Sequence, residues 1–368
     1  MYTTSMVRLP AFCIGKNALS EFAAAASPLG HRFAVIGGHT ALKIGMPRLE
    51  QALSGQPFTY TAHWYGGECT EQNAARLCSE LSGNDFIVGM GGGKAIDTAK
   101  YAADLLDIPI ISIPTLVSNC APITALSVVY SGSGSFESFR FYDAPPACTI
   151  IDLSLAMTAP GAYFRAGLCD AMSKYPEASF SARGDILGQS LDHMSYLGVT
   201  LSRTCWDPIM KFGVQALSDW ENGLCSPAVE LCTRSIIISA GLVSLLADDN
   251  YNCAVAHSVC YGLQSIPRIE NTCLHGDLVA YGMLVQLCLD QQLDEAVTLH
   301  AFLQSLGVRV TLREMDIPLD RTALDAVLSE AVSGPDMQHI PYSVSKDDLY
   351  QAMQQAELLP SERRNLIV

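Results

Sequence analysis

The feature that most constrains this chain is the stretch Phe86–Lys100, which reads FIVGMGGGKAIDTAK. An apolar run ends there at three consecutive glycines, and Lys94 and a segment with apolar residues at helical spacing follow. This pattern predicts a strand, a glycine turn and a helix over Ala95–Leu106. Backbone N–H groups at such a helix start bind phosphate, and the helix dipole favours negative charge there. The alternative is a tight turn without a ligand, and the spacing matches neither the Walker loop nor G-x-G-x-x-G.

Similar strand and helix patterns lie on both sides of this stretch. The predicted elements are the strands Phe33–Gly37, Pro57–Trp64 and Ile108–Ile113 and the helix Thr70–Leu81. Strands that alternate with helices of roughly ten to fifteen residues predict a doubly wound α/β sheet with parallel strands. Ligands bind at the carboxyl ends of the strands in such sheets. We therefore expect Gly38, the glycine turn and Thr115–Ser118 to lie along one edge.

The pattern changes in the second half of the chain. Ala125–Tyr130, an SGSGS turn and Phe136–Tyr142 predict a hairpin, and Cys148–Asp152 predicts a last strand. From Thr158 onwards apolar residues recur at three-to-four spacing in long segments, which predicts helices. The clearest of these segments are Leu191–Trp220, Ser226–Ala247 and Leu274–Asp290. We expect two domains, an α/β domain over 1–157 and an all-helical domain over 158–368.

Composition excludes several classes of protein. Hydrophobic residues make up 49% and charged residues 16% of the 368 positions, as in a well-buried globular protein. The net charge of −15 argues against nucleic acid or an anionic membrane surface as a partner. Thirteen scattered cysteines without a C-x-x-C pair, and an N-terminus without a secretory pattern, predict reduced thiols and a cytoplasmic location. Ser235–Ala247 is too short to span a membrane and is predicted to be a core helix.

Three residues in the second half of the chain are candidates for a metal site. His257 lies in the apolar, small-residue segment Cys253–Leu263, and His275 begins another apolar helical segment. Asp170 lies among apolar residues, and a buried carboxylate needs a partner or a metal. One aspartate and two histidines leave a coordination position open, as catalytic zinc or iron sites require. The alternative is that both histidines are packed core residues, and the sequence alone does not show that the three side chains converge.

These segments resemble the metal-dependent, iron-containing-type alcohol dehydrogenase superfamily, in particular its glycerol dehydrogenase-like branch. Gly89–Lys100 matches the cofactor loop of that branch almost letter for letter, and Pro114–Tyr130 resembles its second cofactor segment. The resemblance implies a Rossmann-like α/β domain followed by an all-α domain, as in dehydroquinate synthase-like enzymes. It also implies that Asp170, His257 and His275 hold one divalent metal, either zinc or iron.

The resemblance further implies an enzyme that transfers hydride between a nicotinamide cofactor and a small-molecule substrate, with the metal as a Lewis acid. Relatives form dimers and larger assemblies, so we expect a homo-oligomer. The residues that correspond to cofactor contacts lie in the glycine turn and after the neighbouring strands: Gly92, Gly93, Lys94, Asp97, Thr115, Ser118, Leu126 and Tyr130.

One departure from the glycerol dehydrogenase pattern concerns the cofactor. The acidic residue that would hold the adenosine ribose is replaced by Gly38, which is followed by His39, with Lys43 and Arg48 nearby. A small residue beside basic groups admits a 2′-phosphate, so we expect NADP(H) to be preferred over NAD(H). The alternative is that the three basic residues are solvated loop charges.

Two further departures concern the substrate. Cys120 replaces an aspartate that would hold polyol hydroxyls, which puts glycerol in doubt and removes a negative charge. Lys174 lies four residues after Asp170, where iron-type relatives have a histidine ligand. We expect its ammonium to bind a substrate carboxylate, helped by Arg165. The alternative is a surface lysine or a pair with Glu177.

Together the departures favour an enzyme that resembles hydroxycarboxylate dehydrogenases and reduces small 2-oxo acids, such as 2-oxobutanoate or 2-oxoglutarate, with NADPH. One alternative is an NAD-dependent glycerol or diol dehydrogenase. Another is a dehydroquinate synthase-like cyclase or lyase that recycles its cofactor, which needs several basic residues for a substrate phosphate where this chain has few. A cofactor-binding protein without catalytic activity is a third.

Overall fold

The computed structural model describes residues 7–132, 136–267 and 269–360. In chain order its strands are β1 (Ala11–Gly15), β2 (Arg32–Gly37), β3 (Thr59–Trp64), β4 (Phe86–Gly91), β5 (Ile110–Pro114), β6 (Leu126–Tyr130), β7 (Phe136–Phe141) and β8 (Cys148–Asp152). Its helices are α1 (Phe22–Ala26), α2 (His39–Ala52), α3 (Glu71–Glu80), α4 (Gly93–Leu106), α5 (Leu153–Ala156), α6 (Gly161–Ser181), α7 (His193–Leu201), α8 (Arg203–Glu221), α9 (Pro227–Arg234), α10 (Ala240–Leu246), α11 (Val255–Gln264), α12 (His275–Leu289), α13 (Leu293–Ser305), α14 (Asp325–Ser333) and α15 (Lys346–Glu357).

The chain divides into two compact units. The first comprises the described residues of Met1–Phe164 together with Asp219–Leu245, and the second those of Arg165–Ser218 and Leu246–Val368. All the strands found among the described residues lie in the first unit. The helical segment Asp219–Leu245 groups with the α/β unit rather than with the helices that follow it. The predicted domain boundary at residue 157, like the predicted homo-oligomer and cytoplasmic location, stays a prediction.

The first unit is built on a parallel sheet of six strands. The strands are hydrogen-bonded in the order β1-β8-β5-β4-β2-β3, and every neighbouring pair is parallel. Strand β1 at the edge of this sheet was missed in the sequence analysis. The doubly wound, Rossmann-like α/β fold predicted from the alternation of strands and helices is confirmed.

Successive residues of a strand in this sheet contribute to two separate core clusters. Phe33 of β2 shares one cluster with Leu49 of α2, whereas the next residue, Ala34, shares the other with Leu77 of α3. Neighbouring side chains of a strand point to opposite faces. Helices therefore cover both faces of the sheet, which explains why its central strands are apolar at nearly every position.

A two-stranded antiparallel hairpin, β6 and β7, lies between β5 and β8 along the chain, as predicted. The last three residues of the predicted SGSGS turn, 133–135, lie outside the described residues. The hairpin is joined to α4, because the N–H of Val128 donates to Asp97 Oδ2 at 3.1 Å and the Ser127 hydroxyl donates to the backbone oxygen of Asp97 at 3.0 Å.

Among the described residues, one helix is long and apolar enough to cross a membrane: Pro227–Leu246, with 20 residues. It consists of α9, a π-helical turn at Ser235–Ser239 and α10. This helix begins eight residues before Ser235–Ala247, the segment predicted to be a core helix too short to span a membrane. Of its most apolar window, 56% is buried inside the protein. Burial of that kind is also found in core helices of soluble proteins.

In the second unit, α12 approaches α6 and α11 at two glycines. A Cβ at Gly276 would clash with the backbone oxygen of Ala166 on α6, and a Cβ at Gly282 would clash with the backbone oxygen of Ala256 on α11. Backbone atoms cannot move aside as the end of a flexible side chain can, so only glycine permits these contacts. The first turns of α11 and α12 are thereby held close to their neighbours.

Gly282→Ala is expected to lower the free energy of unfolding by about 1–3 kcal/mol, because the added Cβ overlaps a backbone oxygen. Helix propensity alone would favour alanine by about 1 kcal/mol, so the sign of the change tests the close approach. Urea denaturation followed by circular dichroism measures it. Gly15→Ala is the control, since a Cβ there meets no atom within 4 Å. Equal stability of Gly282→Ala and the unmodified protein would contradict the close contact between α12 and the Ala256 oxygen of α11.

Candidate metal and cofactor sites

Three side chains of the second unit converge. Asp170 lies near the middle of α6, His257 in the first turn of α11, and His275 at the start of α12. The Nε2 atoms of His257 and His275 each lie 3.5 Å from Asp170 Oδ1. The potential ligand atoms of all three residues lie within 4.8 Å of one another. The structure thus brings together the three residues that were predicted from the sequence as one set of metal ligands.

The chemistry and spacing of these atoms fit a divalent metal. Zinc binds imidazole nitrogen and carboxylate oxygen at about 2.0–2.2 Å, so ligand atoms around a tetrahedral ion stand roughly 3.3 Å apart. The 3.5 Å separations are close to this value and long for direct hydrogen bonds. The side chains of Asp170 and His257 are 10% and 6% exposed, whereas that of His275 is 40% exposed. The site is therefore closed on one side and open on another, and its donor set suits zinc and iron alike.

Burial and neighbouring charges have opposite effects on the pKa values of these residues. Burial raises the pKa of Asp170, but hydrogen bonds and positive charge from His257 and His275 more than offset it, so its pKa lies well below the ordinary range. Burial lowers the pKa of His275, and Cys260 and Asp170 raise it, to about 10 overall. Without a metal the site holds protons, and metal binding must displace them.

Glu177, two helical turns after Asp170 on α6, contacts His257 directly. Its Oε2 lies 2.6 Å from His257 Nδ1, and its Oε1 accepts hydrogen bonds from the N–H groups of Ala254 and His257 at 2.7 and 2.9 Å. The residue is completely buried. From the sequence, Glu177 was predicted only as a possible partner for Lys174. The signal that could have found it is the seven-residue spacing from Asp170, which places both on one helix face.

Further polar groups surround the two imidazoles. On α11, Cys260 Sγ and Gln264 Nε2 lie 3.4 and 3.3 Å from His275 Nδ1. Asp336, in a 3₁₀ turn at Pro335–Met337, interacts electrostatically with His257 and Lys174, and burial raises the pKa of this carboxyl to about 6. Asp336 was not identified from the sequence, because nothing near it in the chain indicates that it lies close to His257 and Lys174.

Lys174 and Arg165, the predicted substrate-binding cations, already have partners. Lys174 is 6% exposed, and its Nζ donates to the backbone and side-chain oxygens of Asn252 at 3.0 and 2.7 Å. The alternative of a surface lysine is therefore wrong. Nε and Nη2 of Arg165 donate to the two carboxylate oxygens of Asp277, each at 3.2 Å. The positive charge of Arg165 is therefore balanced by Asp277. The substrate roles of both residues stay predictions.

In the first unit, the glycine turn lies at the carboxyl end of β4, as predicted. Strand β4 ends at Gly91, and Gly92 precedes α4 without supplying a side-chain cap. A Cβ at Gly92 would press on the Leu116 side chain, and one at Gly93 would press on Asn119. Packing alone therefore favours glycine at these positions. The uncapped start of α4 suits a phosphate, and the predicted cofactor contacts of the turn stay predictions.

Gly38 lies beside the glycine turn at the end of β2, the neighbour of β4. A Cβ on Gly91 would come within 4.0 Å of the Gly38 backbone nitrogen, so the two turns share one edge of the sheet. His39 begins α2 and stacks on Trp64 of β3, with ring centroids 5.1 Å apart. A Cβ on Gly38 would make an ordinary contact with Tyr65 at 3.5 Å. The position is open enough to take a side chain.

The charged residues that follow the glycine turn are paired within the protein. Lys94 Nζ lies 2.5 Å from Glu68 Oε2 and 4.9 Å from the centre of the Tyr130 ring. Asp97 is buried and forms an ion pair with Lys100 at 2.8 Å. Asp97 therefore stabilises the packing of α4, and its proposed contact with a cofactor stays a prediction.

The remaining predicted cofactor and substrate positions lie beyond β5. Thr115 and Ser118 follow that strand, and Leu126 begins β6. Cys120 lies in the same loop, where an added Cβ at Gly241 of α10 would overlap Ile123 Cγ2 and make an ordinary contact with Cys120 Cβ at 3.7 Å. The loop that carries Thr115, Ser118 and Cys120 is thus held against the long apolar helix.

The chain is similar to several known proteins over most of its length. The family model described as iron-containing alcohol dehydrogenase matches residues 10–153. Hydroxycarboxylate dehydrogenase A of Escherichia coli K12 is 31% identical over 297 residues, which cover 80% of this chain and 81% of that protein. Glycerol dehydrogenase of Thermotoga maritima is 30% identical over 310 residues, covering 82% and 83%. The crystal structure of glycerol dehydrogenase from Schizosaccharomyces pombe has a TM-score of 0.87 and 25% identity, covering 97% of this chain and 91% of that one.

The fold and these relatives define a metal-dependent dehydrogenase that acts on CH–OH groups of small molecules. The chain belongs to the iron-containing alcohol dehydrogenase family, as its resemblance to the glycerol dehydrogenase-like branch predicts. This family uses NAD(P) and a divalent metal. These relatives are dehydrogenases, so they do not support the alternatives of a cyclase or lyase or of a cofactor-binding protein without catalytic activity.

Asp170→Asn is expected to reduce the affinity for a divalent metal by about 100-fold or more, because an amide is a poorer ligand than a carboxylate. Replacing a residue that only hydrogen-bonds to a metal ligand already lowers metal affinity by about 10–100-fold. Metal content after dialysis and competition with a chelating dye measure this loss. His193→Ala is the control, since His193 is an exposed histidine at the start of α7 in the same unit. Unchanged metal content in Asp170→Asn would rule out this site.

Proposed function

We propose that this protein reduces small 2-oxo acids to 2-hydroxy acids with NADPH. The observation that carries the proposal is the buried ammonium of Lys174, one helical turn after Asp170 on α6. Its hydrogen bonds go to neutral oxygens of Asn252, and the carboxylates of Glu177 and Asp336 interact electrostatically with it. A buried positive charge one turn from a metal ligand favours a substrate that carries a carboxylate beside its carbonyl group.

In the proposed reaction, a bound divalent metal supplies a Lewis acid for the substrate oxygen and a bound nicotinamide supplies hydride. Asp170, His257 and His275 would hold the metal. Lys174 would bind the substrate carboxylate, which anchors one end of the molecule and presents the C2 carbonyl in a single orientation. Asn252 contributes by directing the ammonium, since it accepts two of its hydrogen bonds.

The cofactor side of the proposal concerns the sheet edge formed by the ends of β2 and β4. Gly92, Gly93 and Lys94 would bind the pyrophosphate at the start of α4, where N–H groups and the helix dipole favour anions. Gly38 would leave room for the 2′-phosphate of NADP(H), and the exposed His39 beside it would favour that charge. An acidic residue at position 38 would instead repel it.

The relatives support both this proposal and one alternative. Hydroxycarboxylate dehydrogenase A is named for hydroxy acids, which agrees with the proposal. Glycerol dehydrogenases of Thermotoga maritima and Pseudomonas putida, 30% and 29% identical, favour the alternative of an NAD-dependent glycerol or diol dehydrogenase. The thiol of Cys120 argues against glycerol, because a thiol is a poor partner for polyol hydroxyls.

Metal-loaded enzyme is expected to turn over 2-oxobutanoate or 2-oxoglutarate with NADPH at least about tenfold more efficiently, by kcat/KM, than glycerol with NAD, because a charged contact contributes about 1.5–3 kcal/mol. The measurement is a substrate panel followed by nicotinamide absorbance, with both cofactors in each direction. Faster turnover of glycerol with NAD would overturn the 2-oxo acid proposal and support the alternative.

The same assay contains a matched test of the ammonium. Lys174→Met keeps an apolar stem of similar length and removes the charge. Its kcat/KM for 2-oxobutanoate should fall by about 10–100-fold, while that for the uncharged ketone butanone should change only a few-fold, because only the acid loses a charged partner. An equal fall for both substrates would show that Lys174 supports the structure rather than the carboxylate.

Gly38→Asp is expected to shift the preference from NADPH to NADH by about 10–100-fold in the ratio of kcat/KM values, because a carboxylate repels the 2′-phosphate and accepts hydrogen bonds from ribose hydroxyls. Gly38→Ala is the matched control, since a Cβ there makes only an ordinary contact with Tyr65 at 3.5 Å. A wild-type preference for NADH, or an unchanged ratio in Gly38→Asp, would contradict the role of this position.

A further inference from the structure

We propose that Glu177 is a positioning residue that determines which nitrogen of His257 faces the metal. It does so by holding both the imidazole and the first turn of α11. The inference rests on the proposed metal site but makes no assumption about the substrate or the cofactor.

The start of α11 has no cap of its own. Ala254 occupies the N-cap position and has no side-chain oxygen to accept the first N–H groups of the helix. Two buried side chains from other helices take this role. Glu177 Oε1 accepts from the N–H groups of Ala254 and His257, and Gln286 Oε1 of α12 accepts from that of Ala256 at 3.2 Å. The backbone that carries His257 is therefore fixed by α6 and α12.

The second oxygen of Glu177 fixes the ring itself. Glu177 Oε2 lies 2.6 Å from His257 Nδ1, and a carboxylate can only accept a hydrogen bond. The tautomer with hydrogen on Nδ1 satisfies this contact and leaves the lone pair of Nε2 directed towards Asp170. That lone pair is what a metal between Asp170 and His257 requires.

This choice matters because His257 belongs to two overlapping sets of potential ligands. The first set is Asp170, His257 and His275, and the second is Glu177, Cys253 and His257. A hydrogen on Nδ1 blocks the second set, since a protonated nitrogen cannot bind a metal. The Lys174 ammonium, 3.8 Å from Cys253 Sγ, adds a positive charge that disfavours a cation there. Both features direct the metal to the first set.

Glu177→Gln gives a specific test, because the amide can be oriented in only one satisfactory way. The amide oxygen of the Glu177→Gln side chain must face the backbone N–H groups of Ala254 and His257. An amide NH₂ group in that place could not accept their hydrogen bonds, because it is itself a donor. The NH₂ group then faces His257 Nδ1 and donates to it. The ring must carry its hydrogen on Nε2 instead, where it points into the metal site.

The experiment compares metal-free wild type, Glu177→Gln and Gln286→Met with histidine labelled by ¹⁵N, at a pH high enough that His257 is neutral. Long-range ¹H–¹⁵N correlation then identifies the tautomer of His257. We expect hydrogen on Nδ1 in wild type and on Nε2 in Glu177→Gln. Affinity for Zn²⁺, measured with a chelating dye, should fall by about 10–100-fold in Glu177→Gln. Gln286→Met removes a cap from the same helix end without touching an imidazole, so its tautomer and Zn²⁺ affinity should match wild type.

The possible failures are distinguishable. Hydrogen on Nε2 of His257 in wild type would overturn the inference without any variant, as would equal Zn²⁺ affinity in wild type and Glu177→Gln. A similar loss of affinity in Gln286→Met would also overturn it, because general weakening of α11 would then explain the effect. A wild-type protein that takes up no divalent metal would contradict the proposed function itself, rather than the role of Glu177.

Discussion

The close approach of helix backbones in the second unit is the constraint on which the candidate metal site depends. Gly276 and Gly282 of α12 lie against backbone oxygens of α6 and α11, at distances that no other residue would allow. Helices that touch through larger side chains stand about 8–10 Å apart, which would separate their polar groups. With glycine at the contacts, short side chains such as Asp170 reach an imidazole on a neighbouring helix. The convergence of Asp170, His257 and His275 therefore depends on the absence of side chains at these two positions of α12.

Much of the fold and part of the site could be predicted, because the relevant signals are local. The FAVIG run and the glycine turn after Met90 each specify a strand end within a few residues, and the alternation of such units specifies a parallel sheet. Asp170 could be singled out because a carboxylate among apolar residues requires compensation. His257 and His275 drew attention for the same reason. In each case a polar residue contrasts with its own immediate neighbours.

The features that were missed depend on partners far away in the chain. Strand β1 is short and becomes recognisable only through its pairing with β8, where Ala11 is opposite Cys148. The spacing of Lys174 from Asp170 singles it out in the sequence, but its hydrogen bond to Asn252 becomes evident only in the structure. Arg165 looks available until Asp277 is found opposite it. Hydrophobic periodicity reports which face of an element is buried, but it does not report which polar groups meet there.

The absence of a local cap at Ala254 also bears on the order in which the second unit folds. Serine, threonine or aspartate at a helix start satisfies the first N–H groups from within the same turn, whereas α11 receives acceptors from Glu177 and Gln286, on helices distant in the chain. Closing such long loops is entropically costly and comes late in folding. We therefore expect the first turn of α11 to become ordered only once α6 and α12 have packed against it, and metal binding by Asp170, His257 and His275 would require that packing.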